Sequence, residues 1–212
     1  MAKTNPFDKY PQEYDSWFDQ HETIYRNELL AIRELMPDNP GRSIEIGVGG
    51  GRFSSELGIS EGVEPSEEMA KIARSRGINV KIGKAENLPL KSSSYDLATL
   101  VTTICFVDDV DKAFFEAHRI LRHGGEIIVA FIPKYSELGK IYRETKDQDK
   151  FFKIAKFYTT DSILDALNSV GFREIKAVQT ITKGLEKADE ELENPIEGYN
   201  KGSFVVLKGV KE

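Results

Sequence analysis

Cysteine is almost missing from this chain of 212 residues: Cys105 stands alone. No internal disulfide can form, and such cysteine use fits a reducing compartment. Long apolar runs are missing as well. No stretch approaches the roughly 20 residues needed to cross a bilayer, and the opening MAKTNPFDKY lacks the apolar core of a signal peptide, so we expect a cytoplasmic protein with no membrane partner. A basic excess is also absent. Lys and Arg number 29 against 35 Asp and Glu, with a formal net charge of -6 and a sequence pI of about 5.3. No basic cluster is interleaved with aromatics, so nucleic acid is not an expected partner. The spacing of the three histidines, the cysteine and the carboxylates suggests no metal site. Internal repeats and low-complexity tracts are absent, and a chain of this length is expected to fold as a single domain, 1–212.

What the chain does have is glycine concentrated in one place. The stretch SIEIGVGGGRF reads as a short buried strand running into a turn, with helix-compatible residues after it. Gly47, Gly49 and Gly51 alternate, and Gly50 adds a fourth. Glycine takes positive φ cheaply and lets another molecule approach the backbone, so strand, glycine turn and helix N-terminus together form a nucleotide-type cradle. The dinucleotide fingerprint G-x-G-x-x-G fails, because Arg52 stands where the third glycine belongs, and no Gly-Lys-Ser/Thr follows to make a P-loop. Glu45 places a carboxylate beside the turn. It would repel a pyrophosphate and attract a ligand carrying an ammonium or sulfonium. An NAD-dependent oxidoreductase and a non-catalytic cofactor-binding module remain as alternatives at this point.

Strands and helices alternate along the chain. Apolar residues recur at helical intervals over 14–35 (Trp17, Phe18, Ile24, Leu29, Leu30, Ile32), and Pro37, Asn39, Pro40 and Gly41 stop that helix. After the glycine turn a short helix spans 53–57. Gly62 and Val63 mark a second strand ending at Glu64, and Ser66 caps a helix with Glu67 and Glu68 in its first turn. A third strand covers 79–82 and a fourth 95–101. A helix over 108–122 ends at Gly124 and Gly125, and EIIVAFIP follows as a fifth strand. This alternation argues for an α/β fold, a parallel sheet wrapped by helices. A capped helix over 160–169 then leads to REIKAVQT and SFVVLKGV, two strands with no helix expected between them, joined by the acidic segment 183–201 and therefore antiparallel. The aromatic segment 134–157 is too long for a simple connection and reads as a helical lid.

Four stretches in order carry a resemblance: SIEIGVGGGRF, GVEPSEEMAKIA, KIGKAENLPLKSSSYDLATLV and AHRILRHGGEIIVAF. Over residues 43–131 the chain resembles the class I S-adenosylmethionine-dependent methyltransferases, in particular the small methyltransferase-domain (type 11-like) family. The resemblance implies a three-layer α/β/α Rossmann-like fold, with a seven-stranded, mostly parallel sheet carrying an antiparallel C-terminal strand. It implies an N-terminal cap helix over about 8–36 and a lid-like insertion over about 134–157. The implied cofactor is S-adenosylmethionine, with S-adenosylhomocysteine as product. By position, Gly47, Gly49 and Gly51 would pack against its methionine and ribose, Glu45 would help hold the amino end, and Glu64 would accept both ribose hydroxyls. Pro65 and Met69 would lie near the adenine, Ala85 and Glu86 at its edge, and Thr102 at the floor.

The chain departs from the family pattern at two places. Lys84 stands where many members carry the Asp that accepts from the adenine amino group, so Glu86 is the expected substitute. TTICFVDD replaces a His-containing run, which puts Cys105 and Phe106 there and leaves no catalytic residue assigned. Candidates for capping the cofactor or touching substrate are Tyr14, Trp17, His21, Tyr135 and Tyr142. The expected reaction is direct displacement of a methyl group by the N or O nucleophile of a small-molecule acceptor, driven by alignment and exclusion of water. Nothing in the sequence sets the oligomeric state or names the acceptor.

Overall fold

The most continuously apolar stretches form the middle of the sheet. In the computed structural model, which describes residues 5–212, the strands are β1 (Ser43–Ile46), β2 (Glu61–Glu64), β3 (Asn79–Ile82), β4 (Tyr95–Val101), β5 (Leu121–Phe131), β6 (Phe172–Thr180), β7 (Ile196–Glu197) and β8 (Phe204–Lys211). They join in the order β3-β2-β1-β4-β5-β8-β6-β7. The first five pair in parallel, β8 runs antiparallel between β5 and β6, and β7 pairs antiparallel with the far side of β6. A sheet of seven strands was expected. The eighth, β7, is a two-residue strand inside the segment read as a plain acidic connection, which also holds the helix α9 (Leu185–Glu190).

Helices cover both faces of the sheet. They are α1 (Asn5–Lys9), α2 (Pro11–Gln20), α3 (Glu22–Leu35), α4 (Arg52–Leu57), α5 (Glu67–Ser75), α6 (Val110–Ile120), α7 (Glu137–Glu144) and α8 (Thr160–Ser169). Alternation along β5 sorts its side chains. Ile127 and Val129 pack with Phe114, Ala117 and Leu167 of α6 and α8, whereas Ile128 and Ala130 join Ile32 and Leu35 of α3 and Phe18 of α2. Burying each large side chain stabilises the fold by about 1.5–3 kcal/mol. The three-layer α/β/α architecture is therefore present, built by a period of two in the strands and 3.6 in the helices.

The N-terminal helix expected over 14–35 breaks at His21, whose φ of -122° and ψ of 49° are not helical. The two halves need different axes. α2 turns Asp15 and Phe18 toward the glycine turn and α4, while α3 lays Ile24, Ala31 and Ile32 on the sheet. The helix expected over 108–122 stops at Ile120, because Leu121 turns extended to pair with Tyr95 and so starts β5 earlier than expected. Gly124, at φ +75°, falls inside that early part of β5. Segment 134–157 is only partly helical: α7 is followed by a turn and a short 3-10 helix, Phe152–Ile154.

Candidate active site

Strand order reverses between β1 and β4, with β2 and β3 on one side and β5 on the other, so the loops at the carboxyl ends of these strands open a crevice. A cavity of about 100 Å³ lies there. Its walls are Gly47 and Gly49 after β1, Glu64, Pro65 and Met69 at the β2–α5 junction, and Lys84, Ala85 and Glu86 after β3. Thr102, Thr103, Phe106 and Asp108 close it from the loop after β4, and Phe7 and Tyr14 from α1 and α2.

The glycine turn is held by its own backbone. The N–H groups of Gly47 and Val48 both donate to the Val63 carbonyl, at 2.7 and 3.1 Å. Gly47 sits at φ +73°, and a Cβ there would collide with the Thr103 side chain. Gly49 sits at φ +53°, and a Cβ there would meet only Met69 Cε, at 3.7 Å, in space that otherwise belongs to the cavity. Gly51 serves packing instead. A Cβ on it would press on Ala73 of α5 at 3.2 Å, and it does not line the cavity.

Glu64 closes β2 with its carboxylate fixed at both ends. The Gly49 N–H donates to Oε2 at 2.9 Å and the Ser66 N–H to Oε1 at 3.0 Å. Burial pushes this carboxyl up to about 7, against those two bonds, which favour the charged form. Each oxygen keeps lone pairs for a further donor. This arrangement fits a nucleoside: two oriented acceptors suit a pair of hydroxyls, and Gly49 leaves space that any side chain would fill.

The resemblance implies that Glu45 helps hold the amino end of the cofactor. The Glu45 carboxylate is buried behind the turn and accepts from the Ser54 hydroxyl of α4, burial pushes it up to about 8, and it is not among the cavity-lining residues. Thr102 lies on the cavity wall in the left-handed region at φ +49°, a strained conformation for a β-branched residue. Its N–H is held by the Ala130 carbonyl and its own carbonyl accepts from the Cys105 thiol. The Tyr14 hydroxyl meets the Thr102 side chain, and burial drives it well above the ordinary phenol range.

Charged pairs anchor the N-terminal helices to the turn. Asp15 of α2 accepts from Arg52 at 2.9 Å and from both terminal nitrogens of Arg76 at 2.7 and 2.6 Å, and Arg76 also donates to the Gly50 carbonyl. Asp8 of α1 accepts from the Ser66 hydroxyl at 2.6 Å, and that hydroxyl also caps α5.

Of the sequence candidates, Gly47, Gly49, Glu64, Pro65, Met69, Ala85, Glu86, Thr102 and Tyr14 come together around the cavity, whereas Glu45, Gly51, Trp17, His21, Tyr135 and Tyr142 do not line it. Trp17 packs on Phe18 and on His21, whose Nδ1 lies 3.7 Å from an Asp189 carboxylate oxygen. Tyr135 is 61% exposed, and Tyr142 stacks on Phe152. Glu86 is engaged by the chain itself, its carboxylate accepting from the Asp108 and Asp109 N–H groups at 2.6 and 3.3 Å. Phe7, Thr103 and Asp108 line the cavity without having been singled out. Asp108 faces Lys84 at 3.7 Å, and an acidic pair in the loop opposite an unexpected lysine was the readable signal. Among the described residues no group of His, Cys, Asp and Glu could hold a metal ion, and no helix is long and apolar enough to cross a membrane.

Comparison with known proteins gives the same reading. A methyltransferase-domain family model matches residues 44–129. An uncharacterised protein of Methanocaldococcus jannaschii is 44% identical over 208 residues, 98% of this chain and 99% of that protein. A crystal structure from Thermotoga maritima, described as a SAM-dependent methyltransferase and possible histamine N-methyltransferase, shares 47% identity over 98% of this chain and 99% of its own, with a TM-score of 0.92. A Haemonchus contortus phosphoethanolamine N-methyltransferase in complex with S-adenosylmethionine shares the fold alone, at 17% identity and a TM-score of 0.63 over 88% of this chain and 52% of its own. The chain belongs to the S-adenosylmethionine-dependent methyltransferases, an enzyme with S-adenosylmethionine as its cofactor.

Proposed function

We propose that the enzyme methylates a small-molecule acceptor through an N or O nucleophile, by direct displacement inside the crevice between β1 and β4. The observation that carries this reading is the closure of the crevice by the chain's own aromatic side chains. Phe7 and Tyr14 cover it from the N-terminal helices, Phe106 from the loop after β4, and the rings of Phe7 and Phe106 meet edge to face at 4.9 Å. Segment 134–157 adds Phe151, 5.1 Å from the Tyr14 ring. A cover of this kind excludes water and suits a compact acceptor. The similarity to the possible histamine N-methyltransferase supports an amine as the nucleophile.

S-adenosylmethionine, when bound, supplies a methyl group on a positively charged sulfur that is itself a good leaving group. The chain supplies position. Glu64 would accept the two ribose hydroxyls, Gly47 and Gly49 would let the backbone lie against the ligand, and Pro65, Met69, Ala85 and Glu86, which line the cavity, would border the adenine. Thr102 forms the floor. Glu45 acts from behind, fixing β1 to α4 through Ser54 and placing a carboxylate near a cationic ligand. Tyr14 covers the ligand, while Tyr135 and Tyr142 belong to the lid. A chain of 1–212 working as one methyltransferase domain, with residues 8–36 as cap and 134–157 as lid, completes the proposal. Alignment and desolvation carry most of the acceleration, so no dedicated base is required of this site.

Incubation with methyl-labelled S-adenosylmethionine and a panel of amines, phenols, thiols and carboxylic acids tests this. Label on an amine or phenol is expected. Label that reaches only protein or nucleic acid would overturn the small-molecule reading.

A further inference from the structure

Four glutamates are buried among the described residues: Glu28, Glu45, Glu64 and Glu193. Three have partners. Ser54 donates to Glu45, two backbone N–H groups donate to Glu64, and Glu193 accepts from the Thr182 hydroxyl and the N–H groups of Thr182 and Lys183. Glu28, on α3, is 3% exposed, and among the described residues no hydrogen bond or ion pair reaches its carboxylate. It lies one helical turn from Ile24 and from Ile32, on the face that packs into the apolar core. A helix position of this kind is normally apolar, and an unpaired carboxylate there is costly to the fold.

The surroundings of Glu28 say what it is for. Its charge acts on two hydroxyls, Tyr14 of α2 and Tyr142 of α7, both driven well above the ordinary phenol range, mainly by burial. Among the described residues no cation contributes to its environment, where desolvation acts alone. Tyr14 is shared with the crevice: it lines the cavity, meets Thr102 and feels Glu64 as well. Tyr142 stacks on Phe152 at 4.0 Å. Glu28 therefore lies on the α3 face whose apolar cluster Tyr14 joins, and its charge reaches both the crevice wall, through Tyr14, and segment 134–157, through Tyr142.

We infer that Glu28 is the anchor for the methyl acceptor, and that the acceptor is a small basic amine whose nitrogen or second cationic centre forms the ion pair that Glu28 lacks. This rests on the reading that the crevice holds the cofactor and that a small molecule is methylated. A cation removes the cost of burying the carboxylate, and the neighbouring rings receive its apolar part and its charge. A neutral alcohol of the same shape gains neither.

The test is calorimetric, on the full chain saturated with S-adenosylhomocysteine. The probes are n-propylamine, 2-phenylethylamine and 1,4-diaminobutane, each amine compared with n-propanol or 2-phenylethanol. At least one amine is expected to bind ten-fold or more tighter than the alcohols, and Glu28→Gln is expected to abolish that preference while leaving S-adenosylhomocysteine affinity within two-fold. Glu28→Met provides a second variant, expected to melt above the wild type because it removes a buried unpaired carboxyl, and also to lose the amine preference. Amine binding unchanged in both variants, or no amine preferred over the alcohols by the wild type, overturns the inference. Failure of S-adenosylhomocysteine itself to bind would instead strike the functional reading beneath it.

Discussion

At position 49 a single methyl group separates a binding surface from an obstructed one. Gly49→Ala places a Cβ in the cavity and forces φ +53° on an L side chain, a strain of about 1–2 kcal/mol. Weaker S-adenosylhomocysteine binding in calorimetry is the expected result. Gly51→Ala differs, because its Cβ presses on α5 and not on the cavity. It should lower the melting temperature while the folded fraction keeps its affinity, and a reversed pattern would show the two glycines to be wrongly assigned. Glu28 gives a pH signature. Its carboxyl is pushed by burial from 4.5 up to about 8, so between those values the folded chain keeps a proton that the unfolded chain releases. Stability attributable to Glu28 therefore falls as pH rises from about 4.5 to 8, at up to about 1.4 kcal/mol per pH unit. Tyr14 and Tyr142, the groups facing it, stay neutral throughout. Glu45 and Glu64 shift the same way, so the comparison that isolates Glu28 is urea unfolding of wild type against Glu28→Gln at several pH values. A constant difference between the two proteins would contradict the assignment. Residue-level legibility was uneven for a physical reason. Glu64 was readable because it ends a strand next to a glycine turn, whereas Glu28 looks like any polar position of an amphipathic helix until the fold turns that face inward.

Among the elements, α2 carries the most consequence for the site. Asp15 is 13% exposed and bridges Arg52 after the glycine turn and Arg76 after α5. Hydrogen bonds to charged groups are worth about 1.5–3 kcal/mol each, and an unpaired arginine left behind adds to the loss. Asp15→Ala should therefore speed hydrogen exchange across α2 and weaken S-adenosylhomocysteine binding, while exchange in the central strands β4 and β5 stays slow. Equal exchange in α2 of both proteins would show the bridge to be ornamental. Helices and strands with strong periodicity were legible at this scale: β3, β4 and α8 occupy the spans read from sequence. The break at His21 was not, because the apolar rhythm of 14–35 continues through it, and only the tertiary pull of the glycine turn on one half and the sheet on the other separates α2 from α3. The strand β7 was beyond reach as well, since two exposed residues carry no pattern.

For the molecule as a whole, strand order is the property that makes a site. The reversal at β1 and β4 brings together segments from 47 to 108, far apart in sequence, and the N-terminal helices close over them. Four sequence stretches in the right order made this arrangement and its cofactor readable, and a cap over 8–36 and a lid over 134–157 were expected, but not the aromatic contacts of Phe7 with Phe106 and Phe151 that join α1, the loop after β4 and segment 134–157. A ligand that binds only the folded chain stabilises it, by about 2.7 kcal/mol at 100 times its Kd. S-adenosylhomocysteine should accordingly raise the melting temperature, and NADH should not. The most direct measurement of the central claim is calorimetric titration of S-adenosylhomocysteine into the wild type and Glu64→Ala. One saturable site in the wild type, weakened about 10–100-fold by loss of the two carboxylate hydrogen bonds, is the result expected. Equal affinity in the two proteins would contradict it.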